Sequence, residues 1–284
     1  MRPVLDDRFL HDLARRLTTV PGIVGVTLGG SRARGTHTPE SDTDLGLYYR
    51  PPLDLERLGD LARDVAGPGA GVTAPGEWGP WVDGGAWLTI EGAAVDWIYR
   101  DVDRVRASWE DARAGRVRFH AQTGHPLGVP DFAYAGEIAL AVVLADPTGE
   151  LAALRTAART YPDALRRALV VAGLWEAGFL IGLAAKAVSR ADTTYVSGCL
   201  FRVVGLCAHA LHGHAGRWLV GEKGAVRAAQ DLPGAPPGFA EAAHRLLGGV
   251  GTTETQLRAS LDAATELLEV TARACGTRAG RERR

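Results

Sequence analysis

The sequence predicts an α/β unit followed by an all-helical bundle. Up to about residue 118, short apolar and β-branched runs alternate with segments whose apolar residues recur at helical spacing. Beyond a glycine- and proline-rich stretch at residues 124–130, helical spacing continues with almost no strand signal. We therefore predict domains at residues 1–118 and 119–276, and a disordered tail at residues 277–284.

Capping residues, periodicity and chain breakers place the elements of the first domain. Its strands are predicted at residues 23–28, 43–49, 85–91 and 93–99, the last two forming a hairpin around the Glu91-Gly92 turn. Its main helices are predicted to begin at Asp6 or Asp7, at Leu53, and at Asp101 or Asp103, and to end before Pro21, near Val65 and near Gly115.

The second domain is predicted to consist of amphipathic helices joined by short loops. They are expected at residues 132–145, 148–160, 162–190, 193–212, 220–230, 238–247 and 253–274. One of them contains an apolar tract, Ala168–Val188, that comes near the length of a membrane span, but Glu176 and Lys186 interrupt it. A helix buried in the bundle is the better interpretation, and no membrane partner is predicted.

The composition is typical of a globular protein in a reducing compartment. Apolar residues make up 46% of the chain and charged residues 23%. The 32 basic and 33 acidic residues leave a net charge of −1, which argues against a nucleic-acid partner. Cys199, Cys207 and Cys275 are odd in number and form no CxxC pair, and the N-terminus lacks the pattern of a signal peptide. These features predict a cytoplasmic protein.

The most informative stretch is residues 28–47, LGGSRARGTHTPESDTDLGL. Asp42 and Asp44 alternate at the start of a predicted strand, so both carboxylates are expected to face one side. A third acid, Asp96, interrupts the apolar strand Val95–Ile98, where a carboxylate is costly unless it is paired or binds a metal. Mg²⁺ takes oxygen ligands and is usually held by one or two carboxylates plus substrate phosphates. The three aspartates therefore predict a Mg²⁺ site.

The Gly-Gly-Ser turn before these acids is predicted to bind phosphate. Gly30 allows the backbone to approach a ligand closely, and Ser31 opens a segment whose N–H groups can meet a phosphate. Arg32 and Arg34 follow, and arginine meets phosphate oxygens with paired donors, although solvent exposure is the alternative for both. The turn and the acids together predict a nucleoside triphosphate held by Mg²⁺.

These residues resemble the signature of the nucleotidyltransferase superfamily that includes DNA polymerase β and the aminoglycoside nucleotidyltransferases. The shared features are the Gly-Ser turn, the Asp-x-Asp pair and a distant third acid, within about residues 20–100. The SRARGTHTPESDTDL segment looks closest to the small bacterial members. The resemblance implies a mixed sheet flanked by helices and, in this subgroup, a C-terminal helical domain.

The resemblance also implies roles for the motif residues. Gly30 and Ser31 would hold the β- and γ-phosphates, and the catalytic, metal-binding carboxylates would be Asp42, Asp44 and Asp96. Two Mg²⁺ ions would clamp the attacking oxygen and the triphosphate during in-line displacement. The implied activity is Mg²⁺-dependent transfer of a nucleoside monophosphate to a hydroxyl of a small molecule, with release of pyrophosphate. ATP is the expected donor because it is the commonest one in the family.

The resemblance suggests aminoglycoside-like antibiotics as the acceptor class, which would make the protein an antibiotic-resistance enzyme. The alternative is a regulatory module of the toxin–antitoxin type, in which such a domain pairs with a HEPN-like helical bundle and nucleotidylates or binds a protein partner. Relatives with this architecture can complete their sites between subunits. A homodimer is compatible with either interpretation.

Several residues of the helical half are candidates for further roles. Lys223, in the GEKGA run, could reach the triphosphate, as similar lysines occur in relatives with this domain. Glu176 could replace Asp96 as the general base, or pair with a cation in the core. Arg202 and His209 are separated by six residues, which resembles the motif of HEPN ribonucleases. A histidine packed in the core is the commoner interpretation of such a helix.

Overall fold

The computed structural model describes residues 5–38 and 40–278. These residues form two compact units. We call the first, which runs to residue 110 and includes residues 120–160, the sheet unit. The second, residues 111–119 and those from 161 onward, is the helical unit. The predicted fold class is confirmed, because a mixed sheet with helices precedes a largely helical region. The predicted tail falls, from residue 279, outside the described residues.

The described elements up to residue 160 comprise six helices and seven strands. In chain order they are α1 (Asp7–Leu17), β1 (Ile23–Leu28), α2 (Gly30–Ala33), β2 (Thr43–Tyr49), α3 (Leu55–Ala66), β3 (Gly85–Ile90), β4 (Ala93–Asp101), α4 (Val102–Arg113), β5 (Phe119–Gln122), β6 (His125–Pro130), α5 (Ala133–Leu140), β7 (Val142–Ala145) and α6 (Glu150–Ala158). The predicted strands of the first domain are confirmed to within one or two residues.

Aspartate caps mark where α1, α3 and α4 begin. Asp6 and Asp54 each accept a hydrogen bond from the backbone N–H three residues ahead, at 2.7 and 3.0 Å. Such caps satisfy N–H groups that have no partner in the first helical turn. Asp101 acts in the same way at α4, because its side chain accepts from the Asp103 N–H at 2.8 Å.

The strands form a mixed sheet in the order β3-β4-β2-β1-β7. β2 and β4 pair in parallel, and the other neighbours pair antiparallel. In β2, Thr43, Leu45 and Leu47 are buried, whereas Asp44 and Gly46 are partly exposed. The alternation gives the sheet one face that joins the core and one face that carries the acids.

Two segments predicted as loop and helix are strands. β5 and β6 form a hairpin where a loop was expected at residues 124–130. The helix predicted at residues 132–145 ends at Leu140, and β7 then pairs antiparallel with β1. A continuous apolar run has no periodicity that separates a buried helix from a buried strand. Pairing with β1, a contact between distant parts of the chain, decides the outcome here.

The segment from β7 to α6 lies in the sheet unit and not with residues 161 onward, so the units differ from the predicted boundary near residue 118. Glu150 accepts hydrogen bonds from Arg50 at 2.5 and 3.0 Å and from Arg106 at 2.7 and 3.1 Å. Leu151 packs against Gly25 of β1, where a Cβ atom would lie 2.6 Å from the leucine Cδ1. These contacts join distant parts of the chain, so the helical spacing of apolar residues could not predict them.

The helical unit contains the longest helices of the chain. They are α7 (Asp163–Val188), α8 (Thr193–Ala215), α9 (Ala225–Gln230), α10 (Phe239–Gly248) and α11 (Glu254–Ala274). They correspond to the predicted helices from residue 162 onward, except that α8 continues past residue 212 and α9 begins only at Ala225. Glu176 and Gly173 of α7 lie beside Arg202 and Leu206 of α8, so these two helices run antiparallel.

α7 and α8 are each long and apolar enough to span a membrane by length and composition. Within the protein, 33% of the apolar stretch of α7 and 61% of that of α8 are buried. Core helices of soluble proteins meet the same criteria, so this property alone is weak evidence for a membrane.

Candidate active site

The pairing of β2 with β4 places two of the predicted carboxylates side by side. In this parallel register, Asp44 is the Cα partner of Asp96. Both side chains are partly exposed while the adjacent residues in their strands are mostly buried, so both carboxylates point to the open face of the sheet. Asp42 precedes β2, is exposed, and acts electrostatically on both. The predicted acids therefore come together at one place.

The Gly-Gly-Ser turn approaches Asp44 closely. A Cβ atom at Gly30 would lie 1.7 Å from Asp44 Oδ2, and the φ of Gly30 is +60°. The Gly29 N–H donates to the Asp44 carbonyl oxygen at 2.8 Å. Glycine is required at position 30 because any side chain would collide with the carboxylate. The turn and the carboxylate form one continuous surface.

Burial and repulsion by neighbouring acids raise the pKa values of Asp44 and Asp96. For Asp44, burial is the largest cause and Asp42 adds to it, while the charge of Arg34 acts in the opposite direction. For Asp96, burial, then Asp44, then Asp42 raise the pKa to about 6. A raised carboxyl pKa means that the ionised form lacks compensating positive charge. A divalent cation would supply that charge.

The acids fit a Mg²⁺ ion that binds together with phosphate better than they fit a complete protein-only metal site. Within residues 5–38 and 40–278, no three acidic, histidine or cysteine side chains are arranged to hold a metal ion by themselves. Asp44 and Asp96 supply two neighbouring carboxylates. Mg²⁺ is commonly held by one or two carboxylates, water and substrate phosphates, so the donor set suits this mode of binding.

Arg32 braces the loop that carries Asp42. Its Nε donates to the Asp42 carbonyl oxygen at 3.1 Å, and its Nη2 donates to the Ser41 carbonyl oxygen at 2.8 Å. These bonds use two of the five N–H donors of the guanidinium, so Arg32 positions the acid loop, and its contact with phosphate stays a prediction. Arg34 is exposed, and its charge reaches the Asp44 carboxyl group.

The remaining predicted residues lie in the helical unit. Lys223 is exposed in the turn before α9. Glu176 Oε1 accepts from Arg202 Nε at 2.5 Å, which is the core pairing expected as an alternative for Glu176. His209 is buried edge-on against the Phe119 ring, with centroids 5.0 Å apart, and burial lowers its pKa to about 3. A neutral histidine packed on an aromatic ring favours a core role over ribonuclease chemistry.

A buried ion pair on the acid-bearing face of the sheet was not predicted. Arg100 Nη2 donates to Glu137 Oε1 at 2.9 Å, and the Arg100 Nε donates to the other carboxylate oxygen. Arg100 lies four residues beyond Asp96 on β4, so the two side chains share a face. The alternation along β4 could have placed Arg100 on the same face as Asp96. Its pairing with Glu137 of α5 could not be predicted, because it joins residues distant in the chain.

Trp87 is a second residue that was not predicted. It is the cross-strand partner of Asp96 on β3 and is 72% exposed. Its ring stacks on Trp78, with centroids 4.3 Å apart and an angle of 11° between the planes. Alternation along β3 places Trp87 and Thr89 on the open face and Leu88 in the core. This alternation could have identified Trp87 from the sequence.

Comparison with known proteins relates the sheet unit to one enzyme family. Residues 8–68 match the nucleotidyltransferase domain, over a span that runs from α1 to α3 and includes Asp42 and Asp44. Residues 136–223 match a domain of unknown function, DUF4037, which begins in α5 and ends at Lys223. No curated protein is significantly similar to the chain.

One solved structure with similarity to this chain is the crystal structure, at 1.90 Å resolution, of a nucleotidyltransferase-like protein from Exiguobacterium sibiricum 255-15. The two chains are 13% identical, with a TM-score of 0.46, and the match covers 95% of this chain and 77% of the other. The family match over residues 8–68 identifies a nucleotidyltransferase-like domain, which supports nucleotidyl transfer as the general activity.

Proposed function

We propose that this protein is an enzyme that transfers a nucleoside monophosphate from a nucleoside triphosphate, most simply AMP from ATP, to a hydroxyl group of a small molecule. The observation that carries this proposal is the placement of Asp44 beside Asp96 on parallel strands, with Gly30 directly against Asp44. The family match supports the same class of reaction. Aminoglycoside-like compounds are the leading acceptors, as the sequence resemblance suggests.

Each part of the site has a role in this reaction. The turn at Gly30 and Ser31 would bind the β- and γ-phosphates of the donor, since no side chain at Gly30 separates the backbone from the acids. Asp44 and Asp96, with the exposed Asp42 beside them, would hold Mg²⁺ jointly with the donor phosphates, and the ion would supply positive charge and Lewis-acid activation to the triphosphate.

The chemical step is a displacement at the α-phosphorus. The acceptor hydroxyl oxygen forms a bond to this phosphorus, the bond from phosphorus to the bridging oxygen of the β-phosphate breaks, and pyrophosphate leaves with the electron pair. The hydroxyl proton passes to Asp96, the carboxylate on the strand away from the phosphate turn. The products are the nucleotidylated acceptor and pyrophosphate.

The experiment is an assay of pyrophosphate release with ATP, Mg²⁺ and a panel of aminoglycosides and other hydroxylated small molecules. Asp44→Asn and Asp96→Asn are expected to lower the rate by about 100-fold or more while the circular dichroism spectrum is retained. Asp7→Asn, at an exposed position on α1, is the control and keeps the wild-type rate. Full activity in either site variant would contradict the proposal. Radiolabel from ATP found on a protein instead of a small molecule would favour the regulatory alternative.

A further inference from the structure

Trp87 presents a large ring on the open face of the sheet, in the row that carries the acids. It is the antiparallel partner of Asp96, which is in turn the parallel partner of Asp44. Directly paired residues point to the same face, so the three side chains form one row across β3, β4 and β2. Trp87 is 72% exposed although burial of its ring would be favourable. An open ring in this position is suited to binding a ligand.

Trp78 holds the ring of Trp87 in one orientation. The two rings are nearly parallel, at 11°, with centroids 4.3 Å apart. Trp78 comes from the loop between α3 and β3 and covers one face of the Trp87 ring. We call this pair the tryptophan platform. Trp87 remains 72% exposed in this stack, and its partner across the strands is Asp96.

A buried glutamine fixes the loop that carries Trp78. Gln122 Nε2 donates to the Trp78 carbonyl oxygen at 2.7 Å, and Gln122 Oε1 accepts from the N–H groups of Trp81 and Val82 at 2.9 and 3.1 Å. Gln122 is 8% exposed. Trp81 in turn stacks on His120, with ring centroids 4.2 Å apart. The tryptophan platform is therefore built into the sheet unit and does not depend on a loop held only by solvent.

The order of the strands assigns the platform to one substrate. The phosphate turn contacts Asp44 on β2, Asp96 follows on β4, and Trp87 follows on β3, with neighbouring strands about 4.8 Å apart. In an in-line displacement the attacking oxygen and the leaving pyrophosphate lie on opposite sides of the phosphorus. With pyrophosphate at the Gly30 turn, the attacking hydroxyl comes from the side of Trp87.

The charges near the platform restrict what can bind there. Asp96 lies beside Trp87 in the row, and Glu77, which is exposed, directly precedes Trp78. In the proposed site Mg²⁺ offsets the charge of Asp96, whereas the charge of Glu77 beside the platform is not offset and disfavours a polyanion such as a nucleic-acid strand. The negative face of an indole ring attracts the weakly positive C–H groups of a saturated ring and attracts an ammonium group.

We propose that the tryptophan platform binds the acceptor, and that the acceptor carries its hydroxyl group on a saturated six-membered ring of the sugar or cyclitol type, neutral or positively charged. This inference rests on the proposed function, since it assigns a side of the same site. Trp87 contacts the flat face of the ring. Gln122 is a positioning residue that acts through the Trp78 loop.

Calorimetric titration and steady-state kinetics of the full-length protein test this assignment. The probes are neamine as an amino-substituted ring polyol, maltose as a neutral one, and the trinucleotide CCA as a nucleic-acid end. Trp87→Ala is expected to weaken neamine or maltose binding, and to raise the acceptor KM, by about tenfold, with kcat and the KM for ATP unchanged. Trp87→Phe keeps an aromatic face and should retain most of the affinity. Thr89→Ala, on the same face of β3, is the matched control and keeps wild-type values.

The outcomes separate this inference from the proposed function. Wild-type protein that neither binds ATP with Mg²⁺ nor releases pyrophosphate overturns both. Wild-type protein that binds ATP with Mg²⁺, but binds the ring probes no better than Trp87→Ala or not at all, overturns the inference alone. If Trp87→Ala raised only the KM for ATP, the platform would bind the nucleobase of the donor. If Trp87→Ala lost only the binding of CCA, the platform would bind nucleic acid. Either result overturns the inference.

Discussion

Gly30 and Asp44 fit together so closely that a Cβ atom at Gly30 would lie 1.7 Å from the Asp44 carboxylate oxygen. Real Cβ atoms essentially never come within 3.0 Å of a heavy atom from outside their own and the adjacent residues, so the turn or the carboxylate would have to move. Asp44 cannot move far along the sheet, because β2 is paired on both sides, with β1 and with β4. The position of the phosphate turn and the position of this acid are therefore coupled.

Gly30→Ala should lower pyrophosphate release by about 100-fold, because a displaced carboxylate or turn no longer holds the donor in reactive geometry. The backbone cost of an alanine at φ of +60° adds about 1 kcal/mol of lost stability. Pyrophosphate release and thermal melting measure the two effects separately.

Gly35→Ala is the matched control for this substitution. Gly35 has φ of +68°, and a Cβ atom there would meet no atom within 4 Å. It carries the same backbone strain without the collision, so it should lose similar stability and keep its activity. Equal activity losses in the two variants would show that strain, and not the contact with Asp44, is responsible.

Burial of Asp96, together with repulsion from Asp44 and Asp42, should make the metal-free protein less stable at neutral pH than its Asp96→Asn variant. The folded-state pKa of about 6 lies above the ordinary value of 3.8, so the folded state binds more protons between these pH values. Stability from this group is present below about pH 4 and is lost as the pH rises through about 6. After solvent screening, the substitution should raise the free energy of unfolding by about 1 kcal/mol. We therefore expect Asp96→Asn to raise Tm in EDTA by about 2–4 °C at about pH 7.5.

The variant should melt at the wild-type temperature at about pH 4, where Asp96 is protonated in the wild-type protein. Asp60→Asn, on the exposed surface of α3, controls for a general effect of removing a carboxylate. A variant no more stable than wild type at about pH 7.5 would contradict the predicted repulsion.

The acids and their strands could be predicted because each depends on residues close in the chain. Asp44 and Asp96 stand out as charged residues inside apolar strands whose alternation identifies a face. The parallel pairing that places them side by side joins strands about 50 residues apart and was not predicted, although the family resemblance assigned both acids to one site. The alternation along β3 could have placed Trp87 on the open face. Its position in the row of acids, however, depends on the pairing of β4 with β3 and with β2.

The place of residues 142–160 in the sheet unit depends on another contact between distant parts of the chain. The segment Val142–Ala145 is apolar and follows a helix directly, so its local pattern suits a helix or a strand equally. Its place is set by pairing with β1, more than 100 residues earlier in the chain. The hydrogen bonds of Arg32 could not be predicted either, because the loop carbonyl oxygens that accept them have no sequence signature.

Mg²⁺ and ATP together should stabilise the protein against heat. At a concentration 100 times the dissociation constant, a bound ligand adds about 2.7 kcal/mol, which corresponds to about 5–10 °C in Tm. ATP in EDTA and Mg²⁺ alone should each give a smaller shift, because neither completes the carboxylate–metal–phosphate set. Asp44→Asn should abolish the combined shift. An undiminished shift in that variant would place the nucleotide elsewhere.

Glu150→Gln should destabilise the sheet unit and thereby test the assignment of α6 to it. The carboxylate accepts hydrogen bonds from both Arg50 and Arg106, and the bonds from Arg50 are the largest cause of its lowered pKa. A lowered pKa gives stability that is present above the ordinary value of 4.5 and is lost as the pH falls through the lower folded value. We expect a loss of about 1–2 kcal/mol in urea unfolding at neutral pH. Glu56→Gln, exposed in α3, is the control and should lose almost nothing.

His209→Gln should make the protein more resistant to acid. Burial lowers the folded-state pKa of His209 to about 3, below the ordinary value of 6.5, so the unfolded chain binds more protons between these pH values. Stability from the neutral ring is present above about pH 6.5 and is lost as the pH falls toward 3. The variant cannot take up this proton, so its unfolding free energy should fall less than that of the wild type between about pH 7 and pH 5.

His244→Gln is the control, because His244 is exposed on α10. Its urea midpoints should follow those of the wild type at both pH values. The same variants bear on the resemblance to ribonucleases, since a histidine that stays neutral at about pH 7 has no proton to give as a general acid. Equal acid sensitivity in His209→Gln and wild type would show that His209 takes up its proton in the folded state, against the burial seen beside Phe119.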